Sequence, residues 1–354
     1  MEDLMITTMP IKPYKNINVG LMIAPTLCDV FGSILKCKKV LTFNLMHSYD
    51  EKQEYLKKYT DSIEKFKIKY NEIIKDVDFV NEYLKRVEQL YKKGTIIIKN
   101  GPIIRCDCGR VEMSKSALNN YSNGDLYYWK NNKIMCKLCR KECKEYSQKS
   151  LYLEIKKEFC NDISITPNFS KKVVNDLTNK FLNQMLLISK NRQNDYNIRI
   201  EGEKYNIDID MLWIMFNQLE ISKNQILIAS NHQIYEMFIS NYINNIFGNK
   251  KIHYMATPYL INNDNVNLQD KILSKESAYY KKLAILYNLK WKYQTSNWNN
   301  GILAILNKLN EEELEELYNS IINITSFDHE NIEKVINNIL FNINLTKNMK
   351  VLKR

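Results

Sequence analysis

Residues 4–48 alternate short apolar runs with turn signals, and this alternation constrains the fold more than any other feature of the chain. LMITTMP reads as a strand, IKPYKNINVG as a loop, LMIAPTLCDVFGSILKCK as a helix and KVLTFNLM as a second strand. Two strands joined through a helix run parallel, and a parallel sheet needs helices over both faces. Residues 50–93 are rich in Lys and Glu and read as helix. Tyr83, Leu84, Val87, Leu90 and Tyr91 fall at helical spacing there, and Gly94 stands where a terminating glycine belongs. TIIIKNGPIIRC reads as a short strand pair. After about residue 150 helices return, and QILIAS (225–230) and KKIHYMATP (250–258) mark where the parallel sheet resumes. From about 278 onward the pattern is helical. Only 9 Gly and 6 Pro occur, so no flexible linker divides the chain, and no internal repeat is visible. The expectation is one α/β fold in two halves, with a cysteine-rich segment inserted between them.

Five of the eight cysteines lie between Cys106 and Cys143. Such crowding is too local for a disulfide scaffold and points to a reduced compartment and a metal site. Cys106-Asp-Cys108 and Cys136-Lys-Leu-Cys139 form two close pairs, each on a tight turn, with Gly109 suited to the first turn. Four thiolates in this spacing match tetrahedral Zn²⁺ and leave no open position for catalysis, so the zinc is expected to be structural. Cys143 and Cys160 fall outside the pairs.

The chain carries 51 Lys+Arg against 40 Asp+Glu, a net charge of +11, which suits a polyanionic partner such as RNA or a nucleotide. Only seven of those cations are Arg, and Lys, Asn and Ile are abundant throughout, as AT-rich codons would produce. A guanidinium-built base reader would carry more Arg. No apolar run reaches the roughly 20 residues that span a bilayer, and the first residues lack the order of a signal peptide. A cytoplasmic protein is expected, with neither a membrane nor DNA as partner.

The first strand and loop read Thr8-Met-Pro10-Ile-Lys-Pro13-Tyr14-Lys-Asn16-Ile-Asn18-Val-Gly20-Leu21. A strand ending in T-x-P, an aromatic-Asn loop and a glycine at a helix start resemble the ATP site of class I aminoacyl-tRNA synthetases, the methionyl type above all. Further segments agree in order. HSYDE (47–51) falls where that family has G-T-D-E-H-G, and DFVNEYLKRVEQLYKKGTI resembles the approach to its zinc insertion. ISKNRQNDYNIRIEG (188–202) resembles I-S-R-x-x-x-W-G-I-P, and DMLWIMFNQL resembles Y-V-W-F-D-A, with Trp213 on the tryptophan. Lys271-Ile-Leu-Ser274-Lys275-Glu276-Ser277 sits where the K-M-S-K-S loop belongs. The H-I-G-H motif becomes Asn18-Val19-Gly20-Leu21, without either histidine. Glu112-Met-Ser-Lys-Ser116 spells a similar motif inside the cysteine insertion and reads as coincidence.

The resemblance implies a Rossmann-like parallel nucleotide-binding sheet split by a zinc-knuckle insertion and followed by C-terminal helices. Residues 1–99 would form the first half with a long helical segment, 100–150 the insertion, 151–277 the second half and 278–354 the helical region. It implies ATP with Mg²⁺ as co-substrate and structural Zn²⁺ on Cys106, Cys108, Cys136 and Cys139. Pro10, Tyr14, Asn18 and Gly20 would bind ATP, and Lys271, Ser274 and Lys275 would meet the triphosphate. Asp50 would hold the amino acid's ammonium, or else cap the helix it precedes together with Ser48. Trp213 would wall a side-chain pocket, or else pack in the core. Asn231 and His232 follow a strand at the end where ligands collect. His47 ends another strand, and His253 lies inside one and reads as structural. On the resemblance, the 77 residues after Ser277 are expected to hold a stem-contact region at most and no dedicated anticodon-reading bundle. The expected activity is ATP-dependent formation of an aminoacyl-adenylate, passed to an amine or a second amino acid. The alternatives are a divergent aminoacyl-tRNA ligase and an inactive relative that binds RNA or a protein partner.

Overall fold

The computed structural model describes residues 4–14, 16–46, 49–115, 126–160, 163–191, 196–215, 224–248, 250–261, 266–324 and 331–351. The chain opens with β1 (Leu4–Thr8), α1 (Ile23–Leu35), β2 (Lys38–Phe43), α2 (Tyr49–Lys65), β3 (Glu72–Lys75) and α3 (Val80–Lys92). An antiparallel part follows, with β4 (Ile96–Arg105), β5 (Glu112–Ser114), β6 (Tyr127–Lys130), β7 (Lys133–Cys136) and β8 (Lys144–Glu154). Next come β9 (Ser164–Thr166), α4 (Asn168–Phe181), β10 (Met185–Leu187), β11 (Asn197–Ile200), β12 (Glu203–Asn206) and α5 (Ile209–Met215). The sheet resumes with β13 (Asn224–Ser230), α6 (Ile234–Phe247), β14 (Lys251–Thr257) and β15 (Tyr259–Ile261). The chain then runs through α7 (Val266–Leu273), α8 (Ala278–Asn288), β16 (Thr295–Asn297), α9 (Asn300–Leu306), α10 (Glu311–Ile322) and α11 (Ile332–Val351).

Six strands form a wholly parallel sheet in the order β3-β2-β1-β13-β14-β9. Its middle strands are apolar on both faces because both faces are covered. Leu4, Ile6, Ile226, Ile228 and Met255 enter one core, shared with α1, α2 and α8–α11. Met5, Leu227, Ala229, Tyr254 and Ala256 enter the other, shared with α3–α6 and the antiparallel sheet. The period of two thus survives as a choice between two cores, not between core and water. No described helix is long and apolar enough to cross a membrane.

Three local readings need correction. The 50–93 stretch is not helix throughout, because β3 interrupts it; with four residues, only one of them buried, this edge strand leaves almost no periodic trace. TIIIKNGPIIRC is one ten-residue strand, not a pair. β4 pairs with β8 from Ile96↔Leu153 to Arg105↔Lys144 and runs straight through Gly101-Pro102. Gly101 is bare because a Cβ there would lie 2.8 Å from the Tyr152 hydroxyl. Pro102 is tolerated because pairing on the other edge, with β5, begins only at Ile103. Between residues 150 and 210 the chain also holds four short strands, β9–β12, where the sequence reads as helix.

Candidate functional site

The strand order reverses between β1 and β13, and a ligand crevice opens beyond the carboxyl ends of strands at such a reversal. The chain leaves β1 by a short strap across that edge. The Met9 N–H donates to Ile228 O of β13 at 2.8 Å, and the Ile11 N–H donates to Thr42 O of β2 at 2.8 Å. Pro10 lies buried between these two anchors. Tyr14, 48% exposed, stands beyond the strap, with the Lys12 ammonium 5.9 Å from its ring centre. A tight turn, Val19–Met22, then leads into α1. The Asn18 Oδ1 accepts the Leu21 N–H at 3.1 Å, so Asn18 caps the turn. A Cβ on Gly20 would sit 3.0 Å from that oxygen, which makes the missing side chain a condition of the cap. Gly20 itself is exposed at the helix start, where backbone N–H groups suit an anion.

At the end of β13, Ser230 and Gln233 form a reciprocal cap. Ser230 Oγ accepts the His232 N–H at 3.3 Å, and Gln233 Oε1 accepts the Ser230 N–H at 3.1 Å. The Asn231 Nδ2 donates to Gln294 O at 3.1 Å, which ties this corner to the β15–β16 ribbon. The exposed His232 ring stands edge-on to Tyr259 at 4.8 Å. His253 lies in mid-strand, 2% exposed, with Ser164 Oγ at 2.8 Å and Thr166 Oγ1 at 3.0 Å. Burial holds its pKa down at about 4.

Lys271, Ser274 and Lys275 end α7 and begin the turn after it, and all three are exposed. The Ser274 hydroxyl donates to Lys271 O at 3.0 Å, while the Lys275 ammonium lies 5.3 Å from the Tyr280 ring centre. Ser277 caps α8 by accepting the Tyr280 N–H at 3.1 Å. α7 packs against the Val19–Met22 turn, with Ile272 in the same core as Val19 and Met22. The lysine segment and the capped turn are therefore neighbours. Asp50 lies in α2 and Trp213 in α5, but their side chains, like His47 and Ser48 as a whole, lie outside the described residues. Glu112 of the look-alike motif is buried in β5 of the antiparallel sheet and accepts the Asn191 N–H at 2.8 Å.

The sequence reading missed one group of residues. Glu112, Lys190, Asp208, Asp210 and Glu236 line a cavity of about 130 Å³ between β5, β10, α5 and α6. The available signal was a lone acid, Glu236, in the apolar helix IYEMFISNYINNIF.

The Cys106, Cys108, Cys136 and Cys139 sulfurs all lie within 4.8 Å of one another. A tetrahedral zinc with Zn–S bonds near 2.3 Å sets sulfurs roughly 3.8 Å apart, so the four fit that ion's donor chemistry and size. The Gly109 N–H donates to Cys106 O and the Arg140 N–H to Cys136 O, both at 2.9 Å. Gly109 and Arg140 both have positive φ, so each turn closes in the same way. Burial opposes ionisation of Cys106, but the Cys108 thiol and the Val111 N–H outweigh it and hold its pKa at about 7. Cys143 is buried beside the four, and burial, then the neighbouring thiols, push it up to about 12.

No protein-family profile matches the sequence, and no curated protein matches it. Solved structures do resemble it in fold. Apo methionyl-tRNA synthetase from Mycobacterium tuberculosis matches 99% of this chain and 80% of its own, at TM-score 0.64 and 12% identity. The same organism's enzyme in complex with methionyl-adenylate matches 91% of this chain and 70% of its own, at TM-score 0.60 and 11% identity. A second structure bound by methionyl-adenylate gives TM-score 0.55 and 9% identity, over 80% of this chain and 64% of its own. The chain has a methionyl-tRNA-synthetase-like fold.

Proposed function

We propose that this protein uses ATP to activate an amino-acid carboxylate as an adenylate and passes the aminoacyl group to an amine or a second amino acid. The observation that carries this reading is adjacency. The Met9–Ile11 strap and the Ser230–His232 corner lie at the sheet edge where the strand order reverses, the Asn18-capped turn follows the strap, and α7, which ends in the lysine segment, packs against that turn. A neighbour of the same fold holds methionyl-adenylate.

In the first step a carboxylate oxygen attacks the α-phosphorus, the bond to the bridging oxygen breaks, and pyrophosphate leaves. Negative charge grows on the phosphoryl oxygens and on the leaving group. The groups of this chain suited to meet it are the N–H dipoles at the start of the turn and the ammonium groups of Lys271 and Lys275. Tyr14, Pro10 and Gly20 would border the nucleotide, while Asn231 and His232 would border the amino acid, with Asp50 and Trp213. In the second step an acceptor nitrogen attacks the carbonyl carbon and AMP departs. Mg²⁺ would arrive with the nucleotide, and zinc on the four cysteines would hold residues 100–150 as a folded insertion between the halves 1–99 and 151–277.

Amino-acid-dependent exchange of labelled pyrophosphate into ATP tests the first step. Exchange with at least one amino acid supports the reading, and none with any proteinogenic amino acid overturns it. Product analysis with total tRNA and with free amines then identifies the acceptor; aminoacyl-tRNA as sole product would make the protein a tRNA ligase.

A further inference from the structure

The cavity between β5, β10, α5 and α6 is unusual in what lines it. Its walls include Met211 and Ile214 of α5, Tyr235 and Ile239 of α6, and Leu186 of β10, which suit an alkyl chain. Its charged groups are four acids and one cation: Glu112, Asp208, Asp210 and Glu236, with Lys190. Lys190 is already committed, since its ammonium lies 2.5 Å from the Asp208 carboxylate. Glu112 accepts the Asn191 N–H. Glu236 differs from these, because its Oε2 is closed off from solvent and has no hydrogen-bond partner among the described residues. A buried acceptor left unmade costs about 1–3 kcal/mol, and more when charged. α6 starts at Ile234, directly after the Ser230-capped turn, so Glu236 lies in its first turn, just past the His232 corner of the site.

We propose that this cavity receives a primary ammonium group on an alkyl stem, with Glu236 as its carboxylate partner. The stem would lie along Met211, Ile214 and Ile239, and the ammonium would satisfy the vacant Glu236 oxygen. Burial, with Asp210 nearby, raises the Glu236 pKa to about 7 in the empty cavity. A cation entering near neutral pH therefore displaces a proton. Resting on the adenylation reading, the inference names its substrate class: an amino acid or acceptor with a basic side chain.

The test is ligand-observed NMR binding with n-butylamine and L-lysine, against 1-butanol and L-norleucine as uncharged counterparts. Wild type should bind the two cations at least about tenfold more tightly than their counterparts. Glu236→Gln, nearly isosteric and replacing an Oε2 that has no partner, should keep its melting temperature and forfeit that preference. Glu112, Asp208, Asp210 and Lys190 also face the cavity, but with the Glu236 pKa near 7, affinity for n-butylamine should rise about tenfold from pH 6 to pH 8. Equal binding of charged and uncharged probes, an unchanged preference in Glu236→Gln, or affinity independent of pH would each overturn the proposal. Cation binding without any lysine-dependent pyrophosphate exchange would uphold the cavity's role and count against the adenylation of a lysine-like substrate.

Discussion

Asp29 of α1 is 1% exposed and joins the two ends of the chain. Its Oδ2 lies 2.6 Å from the Lys282 ammonium of α8, and its Oδ1 lies 3.2 Å from that of Lys39. Lys282, 3% exposed, also donates to Lys67 O at 2.8 Å and reaches the Tyr318 hydroxyl at 3.4 Å. Asp29→Ala strands a buried ammonium on neutral acceptors, and breaking a buried pair from one side costs about 3–5 kcal/mol. That is about a fifth or more of the roughly 5–15 kcal/mol that stabilises an ordinary domain. Burial pulls the Lys282 pKa down in spite of Asp29, so desolvation outweighs attraction in this pair. Replacing both partners by apolar groups should therefore be far milder. Asp29→Leu with Lys282→Met is expected within about 1 kcal/mol of wild type, since Lys39 is partly solvated and keeps Ser33 Oγ at 3.1 Å. Urea unfolding followed by tryptophan fluorescence reads this directly, because Trp291 lies in the same core. A loss under about 1 kcal/mol for Asp29→Ala, or a double variant no better than the single, would refute the reasoning.

The protein is expected to bind one zinc per chain. Cys108→Ser or Cys136→Ser should abolish retention and Cys143→Ala should not, as metal analysis after gel filtration would show. His253 carries a pKa near 4 against an ordinary 6.5, so the unfolded chain binds its proton first as pH falls, and stability declines from pH 6.5 to 4 by about 2–3 kcal/mol on this account. Glu236 acts with the opposite sign between pH 4.5 and 7, so comparing His253→Asn with wild type in urea isolates the histidine: the variant should lose less stability on acidification. Lys275→Ala should slow adenylation at least about 10²-fold with unchanged folding, and Lys271→Ala less; equal exchange rates in Lys275→Ala and wild type would remove the lysine segment from the chemistry.

The parts of the fold legible in sequence are those whose signal is local. The Ile226–Ala229 run announces a strand covered on both faces, and the cysteine spacing announces two turns that meet. β3 was illegible because a four-residue edge strand with one buried side chain has no period to read. β4 was misread because Asn-Gly-Pro looks like a turn, and only Tyr152, fifty residues on, shows that Gly101 serves close packing instead. The Asp29–Lys282 pair spans 253 residues, and nothing near either residue hints at the other. Glu236 was passed over because a single acid in an apolar helix is ordinarily a surface residue.

The turns at and beside the carboxyl edge divide their labour between side chains and backbone. Their short polar side chains are spent on backbone. Asn18 holds the Leu21 N–H, Ser230 the His232 N–H, Ser274 the Lys271 carbonyl and Ser277 the Tyr280 N–H. Those bonds fix the turns, using three side-chain oxygens as acceptors and the Ser274 hydroxyl as a donor. What reaches outward is of another kind: exposed Lys271 and Lys275 on a segment packed against the capped turn, and the backbone dipole of that turn. A neutral ligand gains little from such a set, whereas a triphosphate gains from both, since helix N-termini and ammonium groups act on the same charge. On the proposed reading, the turn dipole and these two lysines are the groups that would meet phosphate charge.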